Sequence, residues 1–244
     1  MSYVITGLLR LCHIVFGLYA WIVFFVCSLA TIVLVAIAPL KSLRRRVAKA
    51  TSRLVFWLIG TPLAVSGMEN IPGGASILVA NHSSYMDGLL LTAVLPASFS
   101  FVIKGEMTRV PLAHFLLRRI GAEFVSRAGT NKAATDARRL LQLARDGESL
   151  AFFPEGTFVA DPGLLRFHSG AFVAAIRGQL PVIPVVIRGT RQMLPADRWL
   201  PVPGRLAVVV KEPVHAHALD DPAPILMQLS RQSILEDLDE PDLG

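Results

Sequence analysis

Apolar residues are concentrated in one long run near the start of the chain. Residues 11–40 contain no Asp, Glu, Lys or Arg. About 20 apolar residues cross the hydrocarbon core of a bilayer, so this run is long enough with residues to spare. A helix over the whole run would be about 45 Å long, which predicts a tilt or a break near Gly17. A second apolar stretch, residues 54–65, is too short to cross and is expected to lie at the membrane interface or against the body of the protein.

Beyond residue 60 the pattern changes to short apolar runs that alternate with helical stretches. The apolar runs predict strands over residues 75–80, 100–103, 123–126, 149–153, 181–188 and 206–211. Helical spacing predicts helices over residues 131–146, 169–177 and 223–238. Strands that alternate with helices indicate an α/β fold. The final residues are expected to fray.

The chain therefore divides into three predicted parts. Residues 1–60 are expected to form a membrane helix or helix pair with a basic juxtamembrane segment. Residues 61–215 form the α/β domain, and residues 216–244 form an acidic tail with one helix.

Positive charge is concentrated directly after the long apolar run. The cluster is as large as the whole net charge of +6, and its members are Lys41, Arg44, Arg45, Arg46, Lys49 and Arg53. A basic cluster beside an apolar span indicates the cytoplasmic side of a membrane and contact with anionic membrane lipids. We therefore expect a cytoplasmic-membrane protein with its main domain on the cytoplasmic face. No nucleic-acid partner is expected, because no aromatic platform accompanies the cluster. A cleaved signal peptide is the alternative, but the run is too long for one and only Arg10 precedes it.

The composition excludes several classes of protein. Apolar residues make up 53% of the chain and charged residues 17%, against about 25% charged in average soluble domains, and the mean hydropathy is +0.54. These values exclude a disordered chain and argue against a freely soluble one. Two cysteines cannot form a disulfide framework or a four-cysteine zinc site, and no His-Glu-x-x-His pattern occurs, so no metal site is expected.

The first candidate for catalysis directly follows the predicted strand over residues 75–80. His82 can act as a general base near neutral pH, and Asp87 lies five residues further on. If the chain turns into a helix between them, the carboxylate reaches the imidazole Nδ1–H and leaves Nε2 free. The alternative is a helix N-cap at Asn81 or Ser83 with an incidental histidine.

Two further groups of residues follow predicted strands. The turn Glu155-Gly156-Thr157 has backbone amides that can face an anionic group, or Glu155 is a buried acceptor that holds the loop. Lys104 and Arg127 can bind a phosphate if they project toward one site, although either is individually more typical of a solvated surface.

Taken in order, these blocks resemble the 1-acyl-glycerol-3-phosphate acyltransferase family. The similarity covers about residues 60–215. The matching blocks are His82-x4-Asp87, residues 104–111 with 121–127, Phe153-Pro154-Glu155-Gly156-Thr157, and the strand at residues 180–185. Each block is modestly specific, and four in order are highly specific. The resemblance implies a mixed α/β sheet flanked by helices.

The resemblance also implies a reaction. His82, oriented by Asp87, would take the proton from the free hydroxyl of a lysolipid, whose oxygen attacks the thioester of acyl-CoA or acyl-carrier protein. This implies an acyltransferase with an acyl donor as co-substrate and no further cofactor. Lys104, Arg127, Glu155, Gly156 and Thr157 would bind substrate, and 1-acyl-glycerol-3-phosphate would give phosphatidic acid.

The chain departs from the family at one position. Members specific for lysophosphatidic acid commonly follow Glu-Gly-Thr with Arg-Ser, whereas Phe158 and Val159 stand there in this chain. A different lysolipid acceptor, including a phosphorus-free one, therefore stays open. An inactive membrane lipid-binding protein is the non-enzymatic alternative.

Overall fold

A computed structural model describes residues 2–125, 130–215 and 222–244, with side chains outside the description at 2–5 and 130–134. Its helices are α1 (Ser2–Ile37), α2 (Lys41–Leu58), α3 (Asp87–Val94), α4 (Pro111–Arg119), α5 (Thr130–Arg145), α6 (Gly170–Gly178), α7 (Thr190–Met193) and α8 (Pro222–Leu235). Its strands are β1 (Leu63–Ser66), β2 (Ile77–Ala80), β3 (Phe99–Lys104), β4 (Glu123–Val125), β5 (Ser149–Phe152), β6 (Val182–Arg188) and β7 (Leu206–Val210).

The seven strands form one mixed sheet in the order β1-β7-β6-β2-β5-β3-β4. Strands β6, β2, β5, β3 and β4 run parallel, while β7 is antiparallel to β6 and β1 is parallel to β7. All four residues of β2 are buried, as expected for a strand covered by helices on both faces. The predicted mixed α/β sheet with flanking helices is confirmed.

Each face of the sheet carries its own hydrophobic core. Leu78 and Ala80 of β2 point to one face, where they pack with residues of α1, α2 and α3. Ile77 and Val79 point to the other face, where α5, α6 and α8 supply the packing. The alternation follows from the two-residue period of a strand. Helix α2 therefore belongs to the core on one face of the sheet, and α8 belongs to the core on the other.

Helix α1 is unbroken, so of the tilt or break predicted near Gly17 the break is absent, and a tilt stays a prediction. Gly17 instead allows close approach, because a Cβ there would lie 2.9 Å from a side-chain carbon of Leu200. Beyond it one face of α1 is buried at positions three or four residues apart: Ala20, Val23, Cys27, Thr31 and Val35. Within the described part of the chain, Thr6–Ile37 is the one helix long and apolar enough to cross a membrane.

The basic cluster holds α2 against the sheet. Lys41 and Arg45 both pair with Glu148, and the Lys49 ammonium donates to the carbonyls of Val94 and Leu95 at 3.0 and 2.8 Å. The sequence pattern indicated lipid contact for the whole cluster, but these charges bind within the fold. Contact with anionic lipids stays a prediction for the cluster's exposed members, Arg46 and Arg53.

Replacing Glu148 by glutamine is expected to lower the free energy of unfolding by about 1–3 kcal/mol at pH 7. Burial raises the pKa of Glu148, but hydrogen bonds from Lys41, Ser100 and Arg45 outweigh it and lower the pKa to about 2. The carboxylate therefore stabilises the fold above its unfolded pKa near 4.5, and the contribution disappears as pH falls toward 2.

Thermal unfolding in detergent at pH 7, 5 and 3 measures this effect. Exposed Glu69 provides the control, since Glu69→Gln removes the same charge from the surface. A difference between wild type and Glu148→Gln that stays constant from pH 7 to pH 3 would contradict the assignment.

Candidate functional site

His82 and Asp87 meet at the carboxyl end of β2. The imidazole Nδ1 lies 2.8 Å from Asp87 Oδ2, and the same oxygen accepts the backbone N–H groups of Ser83 and Ser84 at 2.7 and 2.9 Å. The Asp87 side chain is fully buried, whereas that of His82 is 19% exposed. Because a carboxylate accepts from Nδ1–H, the proton lies on Nδ1 and Nε2 is free to take another.

The turn between these residues is held by strand β6 and helix α7. The Asn81 amide pairs with both the N–H and the carbonyl of Ile187, at 2.7 and 2.9 Å. The hydroxyl groups of Ser83 and Thr190 lie 3.0 Å apart. Met86 is the N-cap of α3, so Asn81 and Ser83 are not N-caps, and a general-base role for His82 stays a prediction.

Glu155 lies on the neighbouring strand end and joins the His82 turn to the following loop. Val79 pairs with Phe152 in the sheet, which brings His82 level with Glu155 three residues later. The two carboxylate oxygens accept the backbone N–H groups of His82 at 2.6 Å and Leu165 at 2.8 Å.

The environment of this carboxyl is unusual for an acid. Its side chain is only 3% exposed. Burial raises the pKa of Glu155 to about 7, against the lowering effect of its two backbone hydrogen bonds. Of the two interpretations from sequence, the geometry favours a buried acceptor that holds the loop. A substrate-binding role stays a prediction for Glu155, Gly156 and Thr157.

Aromatic side chains surround the imidazole. The Phe153 ring stacks on His82 with centroids 4.2 Å apart, and the Phe158 ring lies 4.5 Å away on a tilt of 56°. Tyr85 meets Phe158 edge to face at 4.7 Å. Phe153 and Tyr85 were not predicted from the sequence as site residues, although both lie inside the motifs. The His82 imidazole therefore lies among aromatic rings.

The structure describes one of the two predicted phosphate ligands, Lys104. Lys104 is half-buried at the end of β3, on the same edge of the sheet as His82 but two strands away from β2. Arg127 lies outside the described residues. The structure thus places Lys104 at the site edge, and phosphate binding by either residue stays a prediction.

Another residue that the sequence did not point to supports the site. Arg191 of α7 is buried and binds Glu240 through two nitrogens, at 2.8 and 2.9 Å. Residues near Glu240 pair with the loop after Glu155, including a β-bridge between Asp242 and Leu164. The expectation that the last residues fray is wrong, because their backbone is hydrogen-bonded to this loop.

Comparison with known proteins identifies the class of this α/β protein. The chain belongs to the Acyltransferase family, whose model matches residues 62–188. The chain is 28% identical to the chloroplastic 1-acyl-sn-glycerol-3-phosphate acyltransferase of Arabidopsis thaliana over 72% of its length and 49% of that protein. It is 27% identical to the 1-acyl-sn-glycerol-3-phosphate acyltransferase of Pseudomonas aeruginosa, over 79% of this chain and 76% of that protein.

A solved structure shares the fold. The crystal structure of the 1-acyl-sn-glycerophosphate acyltransferase PlsC from Thermotoga maritima superposes with a TM-score of 0.77 at 22% identity, covering 93% of this chain and 96% of that one. The chain spans about half the length of the first curated relatives it matches, at 49% and 50%.

Proposed function

We propose that this protein transfers a fatty acyl chain from acyl-CoA or acyl-carrier protein to the free hydroxyl of a lysolipid, with 1-acyl-glycerol-3-phosphate as acceptor and phosphatidic acid as product. The observation that carries the proposal is the His82 imidazole, whose Nδ1 is held 2.8 Å from buried Asp87 while Nε2 is free. Similarity to relatives named 1-acyl-sn-glycerol-3-phosphate acyltransferase supports the choice of acceptor.

The proposed reaction needs one base and no covalent enzyme intermediate. His82 Nε2 takes the proton of the acceptor hydroxyl as its oxygen attacks the thioester carbonyl carbon, and Asp87 stabilises the imidazolium that forms. The C–O bond forms, the C–S bond breaks, and the imidazolium returns its proton to the departing thiolate. Nearby backbone amides would stabilise the oxyanion.

The direction of α1 supports attachment to a membrane at the edge of the sheet that carries His82. Gly17 and Trp21 of α1 contact the segment at Trp199 and Leu200, which precedes β7 and lies at that edge. Residues 6–15 extend further in the same direction, and all ten are exposed. An exposed apolar helix segment on this scale is typical of a membrane-inserted one, so the site would face the lipid that it acts on.

Interfacial aromatic residues lie on the same side. The Tyr19 hydroxyl donates to the Leu58 carbonyl at 3.0 Å, beside Trp57, and the Trp57 and Trp199 side chains are 75% and 70% exposed. Tryptophan and tyrosine favour the headgroup region of a bilayer. The exposed Arg53 lies one helical turn before Trp57, and together they support placement of the domain on the cytoplasmic face of the membrane.

A different acceptor is the second candidate function, and Phe158 favours it. Its ring lies against His82 and Tyr85, at the position where the family's lysophosphatidic acid enzymes commonly have arginine. An aromatic ring offers an acceptor headgroup apolar contact and no charge-assisted hydrogen bond. A neutral or phosphorus-free lysolipid would fit this surface. An inactive lipid-binding protein has less support, because the His82–Asp87 pair is intact.

Acyl transfer by the protein in phospholipid vesicles tests the proposal. Isotope-labelled oleoyl-CoA and oleoyl-carrier protein are offered in turn with 1-oleoyl-glycerol-3-phosphate, lysophosphatidylcholine and a phosphorus-free lysolipid, and products are read by mass spectrometry. We expect labelled phosphatidic acid as the main product. Labelling of the phosphorus-free acceptor alone would move the assignment to the second candidate, and absence of any labelled lipid would overturn both.

A further inference from the structure

The loop that follows Glu155 contacts the His82 turn once directly, through an aromatic ring, and once indirectly, through the Glu155 carboxylate. This segment, residues 156–167, is called the site loop. Its Phe158 ring packs 4.5 Å from the His82 ring, and its Leu165 N–H donates to the Glu155 carboxylate that also binds His82 N–H. The position of the site loop therefore affects both the imidazole and the strand end beside it.

Arg191 fixes the first half of the site loop. Its guanidinium donates to the carbonyls of Val159 and Asp161 at 2.5 and 2.8 Å, and its side chain is 7% exposed. The same guanidinium forms a two-pronged ion pair with Glu240 at 2.8 and 2.9 Å. Glu240 also accepts the Gly163 N–H at 2.9 Å, so both members of the ion pair are hydrogen-bonded to the site loop.

Residues 241–243 fix the second half. The Leu164 N–H donates to the Pro241 carbonyl at 2.9 Å, and the Leu243 N–H donates to the Leu164 carbonyl at 3.0 Å. A glycine suits this position, because its φ is +144° and a Cβ would overlap the Leu243 side chain. Arg231 of α8 adds bonds to the Leu164 and Leu165 carbonyls at 2.7 and 2.5 Å.

The same helix that carries Arg191 also holds the His82 turn. Thr190, the preceding residue, contacts the Ser83 hydroxyl at 3.0 Å. Helix α7 thus anchors the turn through Thr190 and the site loop through Arg191. A buried, bidentate guanidinium–carboxylate pair is a rigid connection, since both groups are planar and desolvated.

We propose that Arg191 and Glu240 are positioning residues, which set the site loop against His82 for the transfer reaction. This inference rests on the proposed acyltransferase function. Without the pair, Phe158 and Leu165 lose their fixed distance from the His82 turn. A misplacement on the order of 1 Å lowers turnover strongly, so kcat falls while the KM for the acyl donor changes little.

Two substitutions and one matched control test the inference. Glu240→Gln keeps the side-chain size but removes the charge, and Arg191→Lys keeps the charge but cannot span the carbonyls and the carboxylate together. Asp239→Asn is the control, because the side chain of the adjacent Asp239 is 94% exposed and pairs with Arg188 at 3.7 Å. Hydrogen–deuterium exchange of amides 163–165 reports on the loop independently of activity.

We expect the exchange of these amides to rise about tenfold and kcat to fall about 10–100-fold in both variants, measured well below their melting temperatures, which the broken buried ion pair lowers. Asp239→Asn should match wild type in every measurement. Unchanged exchange, or faster exchange with unchanged kcat, would overturn the inference, as would Arg191→Lys behaving like wild type. If wild type transfers no acyl group, the proposed function fails, and so does the catalytic part of the inference; exchange alone then decides whether the pair holds the loop.

Discussion

Replacing His82 by alanine is expected to lower the rate of acyl transfer by about 10²–10⁴-fold, the contribution of a positioned general base. The loss is expected because the proposed mechanism gives the hydroxyl proton to Nε2 of His82, and the Asp87 side chain behind it is fully buried. The fold should survive, since the side chain lies at the site surface and is 19% exposed.

His114 provides a matched control for this substitution. It is also half-buried and also packs against a phenylalanine, Phe124, at a centroid distance of 5.2 Å. His114→Ala removes a similar histidine–aromatic contact at β4, three strands away from β2. Initial rates with labelled acyl donor compare the two variants. A His82→Ala rate within threefold of wild type, or an equal loss in His114→Ala, would contradict the assignment of the base.

Replacing Asp87 by asparagine is expected to lower kcat by about 10²–10⁴-fold with little change in the KM for either substrate. Asparagine keeps the shape and one accepting oxygen, so the N–H groups of Ser83 and Ser84 and the imidazole retain a partner. It lacks the negative charge that stabilises the imidazolium formed when His82 accepts the proton. The effect therefore falls on the transition state rather than on binding.

Steady-state kinetics at saturating donor measures this second effect. Asp197→Asn serves as the control, because Asp197 is exposed near the end of α7 and the change in charge is the same. Melting temperatures show whether the buried amide disturbs the fold. An Asp87→Asn enzyme with full kcat would show that the carboxylate only shapes the turn.

Periodicity and motif spacing predicted most of the sheet, because its central strands are continuous apolar runs. All six predicted strands are present with shifts of one or two residues at their ends. Strand β1 and helices α3, α4 and α7 were not predicted. Helix α3 begins at Asp87, the last residue of the His82-x4-Asp87 block, so no separate sequence signal marked its first turn. Strand β1 is four residues long with a mostly exposed pattern, which gives no clear apolar run.

In the candidate site, the contacts between residues close in sequence were predictable, and those between distant residues were not. The His82–Asp87 contact was predictable, because five residues separate them and a single turn closes the distance. The contacts of Arg191 with Glu240 and of Glu148 with Lys41 join residues 49 and 107 positions apart. Charge counting assigned Lys41 and Arg45 to lipid and Glu240 to a loose tail, because the sequence does not reveal which distant partners folding brings together.

The proposed transfer of an acyl chain from a thioester to a lysolipid is tested by the stoichiometry of a single reaction. Purified protein in vesicles receives a labelled acyl thioester and 1-oleoyl-glycerol-3-phosphate, and the free thiol and the labelled diacyl lipid are quantified together. We expect one thiol to be released for each new ester, and we expect His82→Ala to produce neither free thiol nor labelled diacyl lipid. Thiol release that yields labelled free fatty acid and no diacyl lipid would contradict it, because water rather than a lysolipid would then be the acceptor.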